Sequence, residues 1–181
     1  NGYKAYWDDG AQIIAPHDIA IIDEVTKITS IKEVNTVKKP ELINVIGKEI
    51  DEKYLNRVLG LSLNKAINEK YEDIPIVYTP LHGTGIMLVP QALNMYGFTN
   101  IHKVESQCVP DGNFPTVVSP NPEESSSFEL AVKLAKEVDA KLVLATDPDA
   151  DRIGLAVKDN NGEFILLNGN QTAAILFYYL I

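Results

Sequence analysis

Cysteine is nearly missing from this chain: Cys108 stands alone among 181 residues. No internal disulfide can form, which excludes the framework of a small disulfide-stapled secreted domain. A lone thiol fits a reducing compartment, so a cytoplasmic protein is expected. Long apolar runs are also lacking. The longest, Ala173 to Ile181, follows polar Gln171-Thr172 and is too short for a membrane span; it reads as the start of a core-facing helix. The first residues carry no signal-peptide pattern. Positive charge is in short supply: 16 Lys and Arg face 25 Asp and Glu, for a net charge of −9. Neither nucleic acid nor a membrane is therefore an expected partner, since a phosphate backbone needs a basic surface. The deficit leaves phosphorylated small molecules open, because a metal ion, one arginine or backbone amides can hold an anion locally.

What remains has the make-up of a soluble globular protein, 45% apolar and 23% charged, with enough residues for one ordinary domain and some extra. The chain begins at Asn1 without methionine and stops at Ile181 within a helix-like apolar stretch, so a piece of a larger protein is expected.

Periodicity organises the rest. Asn1 to Trp7 has strand character, Asp8-Asp9-Gly10 a turn, and Ala11 to Ile14 a returning strand. Pro16-His17-Asp18 opens a helix to about Ile28, with proline at the first position and an acid in the first turn. Residues 29–48 read as a linker or hairpin. Ile50 to Lys70 is helical with a break at Gly60. From there strands and helices alternate: strand Ile74 to Tyr78, helix Ile86 to Tyr96 stopped by Gly97, strand Ile101 to Glu105, and a proline-rich loop over Gln107 to Asn121. A helix over Pro122 to Val138 follows, then strand Lys141 to Thr146, strand Ile153 to Asp159, an Asn161-Gly162 turn and strand Phe164 to Leu167. The expected fold is α/β, a three-layer α/β/α arrangement around a mostly parallel mixed sheet.

Functional loops of such folds lie at the carboxyl ends of parallel strands. Asp147 sits at the end of one, and Asp147, Asp149 and Asp151 alternate in Asp147-Pro148-Asp149-Ala150-Asp151-Arg152. Alternate side chains of a loop can converge on one point, and three converging carboxylates stay ionised at neutral pH only beside a cation. A hard divalent ion with oxygen ligands suits them, so Mg²⁺ is the default. Arg152 adds a fixed positive fork that matches phosphate oxygens. A plain solvated turn is one alternative. An EF-hand is excluded, because its sixth and twelfth positions hold Arg152 and Lys158 in place of glycine and glutamate. An aspartyl phosphatase of the haloacid dehalogenase type also places Asp-x-Asp after a buried strand, with the first aspartate as nucleophile, although Asp151 is foreign to that signature.

Taken together, the motifs resemble the α-D-phosphohexomutases, the phosphoglucomutases and phosphomannomutases. Thr146 to Arg152 is similar to their metal loop, and Tyr78-Thr79-Pro80-Leu81-His82-Gly83-Thr84-Gly85 to their second-domain glycine loop. Asp111-Gly112-Asn113-Phe114-Pro115 with Asn121-Pro122-Glu123 resembles a connecting loop, Asn1-Gly2-Tyr3-Lys4 the stretch after the phosphoserine loop, and Asn168-Gly169-Asn170-Gln171-Thr172 the opening of the third domain. Asn1 to Lys4 and Tyr78 to Gly85 look most like the phosphoglucomutase branch that also contains phosphopentomutases.

The resemblance implies four domains around one cleft, of which this chain would hold the tail of the first (about 1–38), the second (39–166) and the start of the third (167–181). It implies a Mg²⁺-dependent intramolecular phosphotransferase that interconverts hexose 1-phosphate and hexose 6-phosphate through a phosphoserine and a bisphosphorylated sugar. Glucose 1-phosphate and 6-phosphate are the expected substrates, and the other domains of the same protein the expected partners. Asp147, Asp149 and Asp151 would hold the metal, and Arg152 would neutralise charge on the transferring phosphoryl group. No serine here stands in the family's Thr-Ala-Ser-His-Asn-Pro setting, so this piece by itself is expected to be inactive. His82 reads equally as a loop, structural or functional histidine, and Gly83 and Gly85 as residues of a tight backbone turn. Trp7 and Tyr178-Tyr179 read as core or interface packing, His17 and His102 as structural or exposed, Lys4 as a surface lysine, and Cys108 as an unreactive loop thiol.

Overall fold

A computed structural model describes residues 4–181. The expectation for Asn1 to Tyr3 lies outside the described residues. Contacts divide the chain into two compact units, with the boundary between Val45 and Ile46.

The first unit is small and open. Tyr6 bridges Gln12 in antiparallel fashion around a turn at Asp8 to Gly10, and Gly10 takes φ +80°, where a side chain would be strained. Helix α1 (His17–Thr26) follows, then two single 3₁₀ turns, Ile31–Glu33 and Pro40–Leu42. Trp7 is not a core residue: it is half exposed and stacks on His17 with ring centroids 4.9 Å apart. The tryptophan finds its partner within the local turn-and-helix segment.

The second unit carries the layered domain. Helices α2 (Lys48–Leu59) and α3 (Lys65–Lys70) come first, separated at Gly60, the C-cap of α2. Strand β1 (Ile76–Thr79) leads through helix α4 (Val89–Met95) to strand β2 (Ile101–Lys103). A long loop and helix α5 (Glu129–Glu137) return the chain to strand β3 (Leu142–Thr146). Strands β4 (Ile153–Lys158) and β5 (Phe164–Leu167) close the sheet as a hairpin about Gly162, and helix α6 (Gly169–Leu180) follows. α6 opens with a capping box in which Asn168 and Gln171 satisfy each other's backbone amides.

The sheet order is β2-β1-β3-β4-β5. β1 pairs in parallel with both β2 and β3, while β3–β4 and β4–β5 are antiparallel, so four of the five strands run one way. The mostly parallel mixed sheet read from the sequence is the one observed. Ile76-Val77-Tyr78-Thr79 is buried throughout, as a central strand covered on both faces must be. The pleat sorts its side chains. Val77, Val143, Ala145 and Ala156 pack under α5 with Phe128, Ala131 and Ala135. Ile76, Tyr78 and Leu144 face the other way, toward Val89 and Leu93 of α4. These are the two outer layers of α/β/α.

Helix α5 begins later than the Pro122 start expected from sequence. Residues 122–124 form a turn capped by Asn121, a 3₁₀ turn spans Ser125–Phe128, and α-helix starts only at Glu129. The Ser125-Ser126-Ser127 run is poor helix former, and the Ser127 hydroxyl donates to the Ser119 carbonyl at 2.7 Å, holding the segment back. That segment crosses β4 at Gly154, where a Cβ would lie 2.9 Å from the Phe128 ring and closer still to the Pro122 carbonyl oxygen.

The topology also locates the crevice. From β1 the chain leaves for β2 on one side and comes back to β3 on the other, under helices on opposite faces. The loops after β1 and β3 therefore emerge side by side at a switch point, where open α/β sheets place their ligands.

Candidate functional site

The loop after β3 turns sharply. Ala150 adopts φ +58° and its amide donates to the Asp147 carbonyl at 3.0 Å, which folds Asp149 and Asp151 back toward Asp147. One oxygen from each of Asp147, Asp149 and Asp151 lies within 4.8 Å of the others. The structure thus brings together the three aspartates singled out from their alternation. Asp147 is buried; Asp149 and Asp151 are exposed.

Arg152 is the fourth member. Its backbone amide donates to Asp147 Oδ1 at 3.0 Å and its Nε to Oδ2 at 2.9 Å, while Asp151 Oδ1 lies 3.9 Å from the same Nε. Arg152 Nη1 reaches Asn121 Oδ1 at 3.4 Å. The guanidinium is half exposed.

The electrostatics split the aspartates. Burial raises the Asp147 carboxyl, but the amide, guanidinium and charge of Arg152 outweigh it and hold the group below its usual range. Asp149 is pushed the other way, by desolvation first and then by the neighbouring Asp147 and Asp151 carboxylates. A divalent cation would relieve this repulsion. A carboxylate oxygen that accepts one hydrogen bond keeps a lone pair for a metal, so the Arg152 contacts do not disqualify Asp147. These three carboxylates, with Asp149 and Asp151 exposed, would hold the ion. The donor set fits Mg²⁺: all oxygen, anionic, with one side open.

The glycine loop after β1 is the floor of this site. Gly83 and Gly85 were expected to serve a tight turn, but the left-handed residues are Leu81 (φ +47°) and His82 (φ +62°). The glycines serve close approach. A Cβ on Gly83 would fall into the Pro148 backbone, 2.6 Å from its carbonyl oxygen and nearer its Cα. A Cβ on Gly85 would lie 2.6 Å from Thr146 Oγ1 and strike the Tyr78 hydroxyl. Thr84 completes the seam, its amide and hydroxyl both donating to the Pro148 carbonyl at 2.9 and 3.1 Å. Tyr78 and Thr146 hydroxyls bond at 2.9 Å beneath it, and burial pushes the Tyr78 phenol up to about 12.

His82 is buried, and both ring nitrogens are engaged. Nδ1 lies 3.1 Å from the Val109 carbonyl, which can only accept, so the ring proton is on Nδ1. Nε2 is 2.8 Å from Thr116 Oγ1, which accepts from Gln107 Nε2 at 2.9 Å and so turns its hydrogen to the ring. Gln107 Oε1 accepts from Thr79 at 2.6 Å. Sequence reasoning left His82 undecided and missed Gln107 and Thr116; a glutamine and a threonine in a long loop carry no signal at that stage. His102 is paired with Asn100, and Cys108 is half-buried with its thiol raised by burial and by the Glu105 charge.

Residues 52–162 match the family described as Phosphoglucomutase/phosphomannomutase, alpha/beta/alpha domain II. The whole chain aligns at 35% identity with a phosphoglucomutase of Staphylococcus haemolyticus, covering 33% of that protein. Over 99% of the chain it is 36% identical to a probable phosphomannomutase of Haemophilus influenzae, covering 36% of it. A solved phosphoglucomutase/phosphomannomutase family protein from Burkholderia thailandensis superposes with a TM-score of 0.50 at 23% identity over 64% of this chain and 23% of that one, a likeness of fold. The chain belongs to the phosphoglucomutase/phosphomannomutase family and contains its second, α/β/α domain. It spans about a third of the length of these curated relatives. Membership in this family removes the haloacid dehalogenase alternative.

Proposed function

We propose that this chain is the metal-bearing part of a phosphosugar mutase that interconverts hexose 1-phosphate and hexose 6-phosphate. The observation that carries the reading is the convergence of Asp147, Asp149 and Asp151 beside Arg152 at the β1/β3 switch point. Asp147, Asp149 and Asp151 would hold Mg²⁺, which when bound supplies charge neutralisation and alignment to a phosphoryl group. In this reading the phosphorylatable serine and the sugar-selecting residues belong to other parts of a longer protein, and the domain boundaries of this chain fall near residues 38 and 167.

Phosphoryl transfer asks the protein mainly for positioning and for compensation of charge. Arg152 is placed for the second task. Asp147 takes its Nε edge and Asn121 one Nη, so the fork is fixed in direction while its outer N–H groups stay available to phosphate oxygens. The buried Asp147, with each oxygen accepting one hydrogen bond from Arg152, would serve as a ligand and as the anchor of the guanidinium.

The test is a coupled assay on the full-length protein with glucose 1-phosphate, mannose 1-phosphate and ribose 1-phosphate, with and without Mg²⁺. Magnesium-dependent formation of the 6-phosphate or 5-phosphate is expected, and Asp149→Ala should nearly abolish it while the far-UV circular dichroism is unchanged. Release of inorganic phosphate, or Asp149→Ala turnover near the wild-type value, refutes the assignment.

A further inference from the structure

We propose that His82 is a positioning residue: it latches the loop of residues 107–121 to the glycine loop, and through Gly83 and Thr84 fixes the conformation of the Asp147 loop. This builds on the reading of that loop as a metal site, but the latch itself is testable without metal.

Three observations converge. First, His82 spends all of its hydrogen-bonding groups on one loop. Its amide donates to the Gln107 carbonyl at 3.0 Å, its carbonyl accepts from the Asp111 amide at 3.1 Å, and its ring holds the Val109 carbonyl and the Thr116 hydroxyl. Second, Leu81 and His82 are consecutive non-glycine residues in the left-handed region. That region is unfavourable for side chains other than glycine, and such strain persists only where the surroundings over-determine it. Here the backbone bonds of Leu81, His82 and Gly83 hold the pair from within, and the ring bonds of His82 tie it to the facing loop. Third, the pair delivers the next residues onto the aspartate loop, Gly83 against the Pro148 backbone and Thr84 onto the Pro148 carbonyl. The far end of the latched loop, Asn121, meets Arg152. The aspartate loop is thus gripped from beneath and from one side by segments that His82 ties together. An apolar residue at this buried position would fill the space but could not hold two loops in register, because a buried polar network fixes directions as well as distances.

The experiment is amide hydrogen exchange on the full-length protein in EDTA, read by mass spectrometry at single-residue resolution, comparing wild type with His82→Asn, Thr116→Val and Thr116→Ser. Asparagine tolerates the left-handed backbone of position 82 but cannot reach both ring partners. Valine keeps the shape of Thr116, whose other side faces solvent, and removes its hydroxyl; serine restores it. The expected result is a roughly tenfold faster exchange at the amides of Thr84, Ala150 and Arg152 in His82→Asn and Thr116→Val, with Val77 and Val143 of the central strands unchanged and Thr116→Ser close to wild type. Unchanged exchange at Thr84, Ala150 and Arg152 overturns the proposal. So does a uniform rise that includes Val77 and Val143, since that is a loss of global stability. If His82→Asn fails to fold, Thr116→Val decides. A Mn²⁺ titration followed by electron paramagnetic resonance separates the two readings. Loss of affinity in Thr116→Val is expected, and wild-type Mn²⁺ binding unaffected by Asp149→Ala would sink the metal assignment while the exchange data still judge the latch.

Discussion

Two loops leave the same edge of the sheet, and they are built on opposite principles. In the loop after β1, residues Thr79 to His82 are buried and their polar groups are answered by neighbours: Thr79 by Gln107, the Leu81 amide by Thr79 Oγ1, His82 by Val109 and Thr116. In the loop after β3, only Asp147 is buried and bonded, while Asp149 and Asp151 extend like charges into solvent. The first loop resembles core that happens to be irregular. The second carries electrostatic repulsion that its neighbours do not cancel. A cation held by the three aspartates would relieve that repulsion over a base whose own polar groups are already satisfied.

The sharpest way to break this contrast is to separate the floor from the loop above it. In Gly83→Ala the new methyl must occupy the Pro148 backbone, which cannot yield as a flexible side-chain tip would. A destabilisation of about 2–3 kcal/mol is expected from overpacking of this kind, read as a lowered urea midpoint with unchanged m-value. Turnover of the full-length protein should fall by more than its stability does. If Gly83→Ala leaves the midpoint unchanged, the two loops are not in the contact described.

A smaller effect tests the floor alone. Tyr78→Phe removes a buried hydroxyl bonded to Thr146 and leaves Thr146 Oγ1 without that partner. About 1–2 kcal/mol should be lost, the usual cost of stranding one buried polar group. The burial of the same hydroxyl makes a spectroscopic prediction. With its pKa raised to about 12, Tyr78 should contribute a late phase to an absorbance titration. A Tyr78→Phe variant that removes an early-titrating phenol instead of a late one contradicts the burial of that hydroxyl.

How far the sequence speaks differs between the same two loops. The convergence of the aspartate loop was legible because it is written in residue types: three acids in alternation after a β-branched and apolar strand can turn to one point, and they do. The layered fold was legible for a like reason, since buried parallel strands such as Ile76 to Thr79 are continuous apolar or β-branched runs. The glycine loop is legible only in part. A tight turn is there, closed by the Gly83 amide on the Pro80 carbonyl, but glycine permits positive φ and it permits close approach, and sequence does not say which; here Gly83 is needed for contact with Pro148 while Leu81 and His82 take the positive φ. The start of α5 was placed early because Asn121 and Glu123-Glu124 are true cap signals, but they cap a turn that Ser127 ties to Ser119. The exposed Tyr178 and half-exposed Trp7 show the same limit: aromatic character predicts burial somewhere, and the residues described do not provide it.

The subtlest prediction concerns the conflict in the upper loop itself, and its sign decides whether that conflict is there. Asp149 has its carboxyl raised and Asp147 has its own lowered, so ionising Asp149 is what the folded, metal-free protein resists. A carboxyl raised on folding contributes stability below its unfolded value of about 3.9, and that contribution is lost as pH rises through the folded value. At neutral pH in EDTA the charged Asp149 is therefore a net cost, and Asp149→Asn should be slightly more stable than wild type. The gap should narrow and vanish as pH falls through the carboxylate range, because both proteins then carry a neutral group at position 149. Saturating Mg²⁺ should reverse the order: a ligand that binds only the folded state stabilises it by mass action, and wild type has the better site. Thermal unfolding of both proteins, with EDTA and with Mg²⁺, gives four values of Tm. If Asp149→Asn is less stable under both conditions, the carboxylate stabilises the loop without metal, and the contrast between a satisfied floor and a frustrated loop above it is wrong.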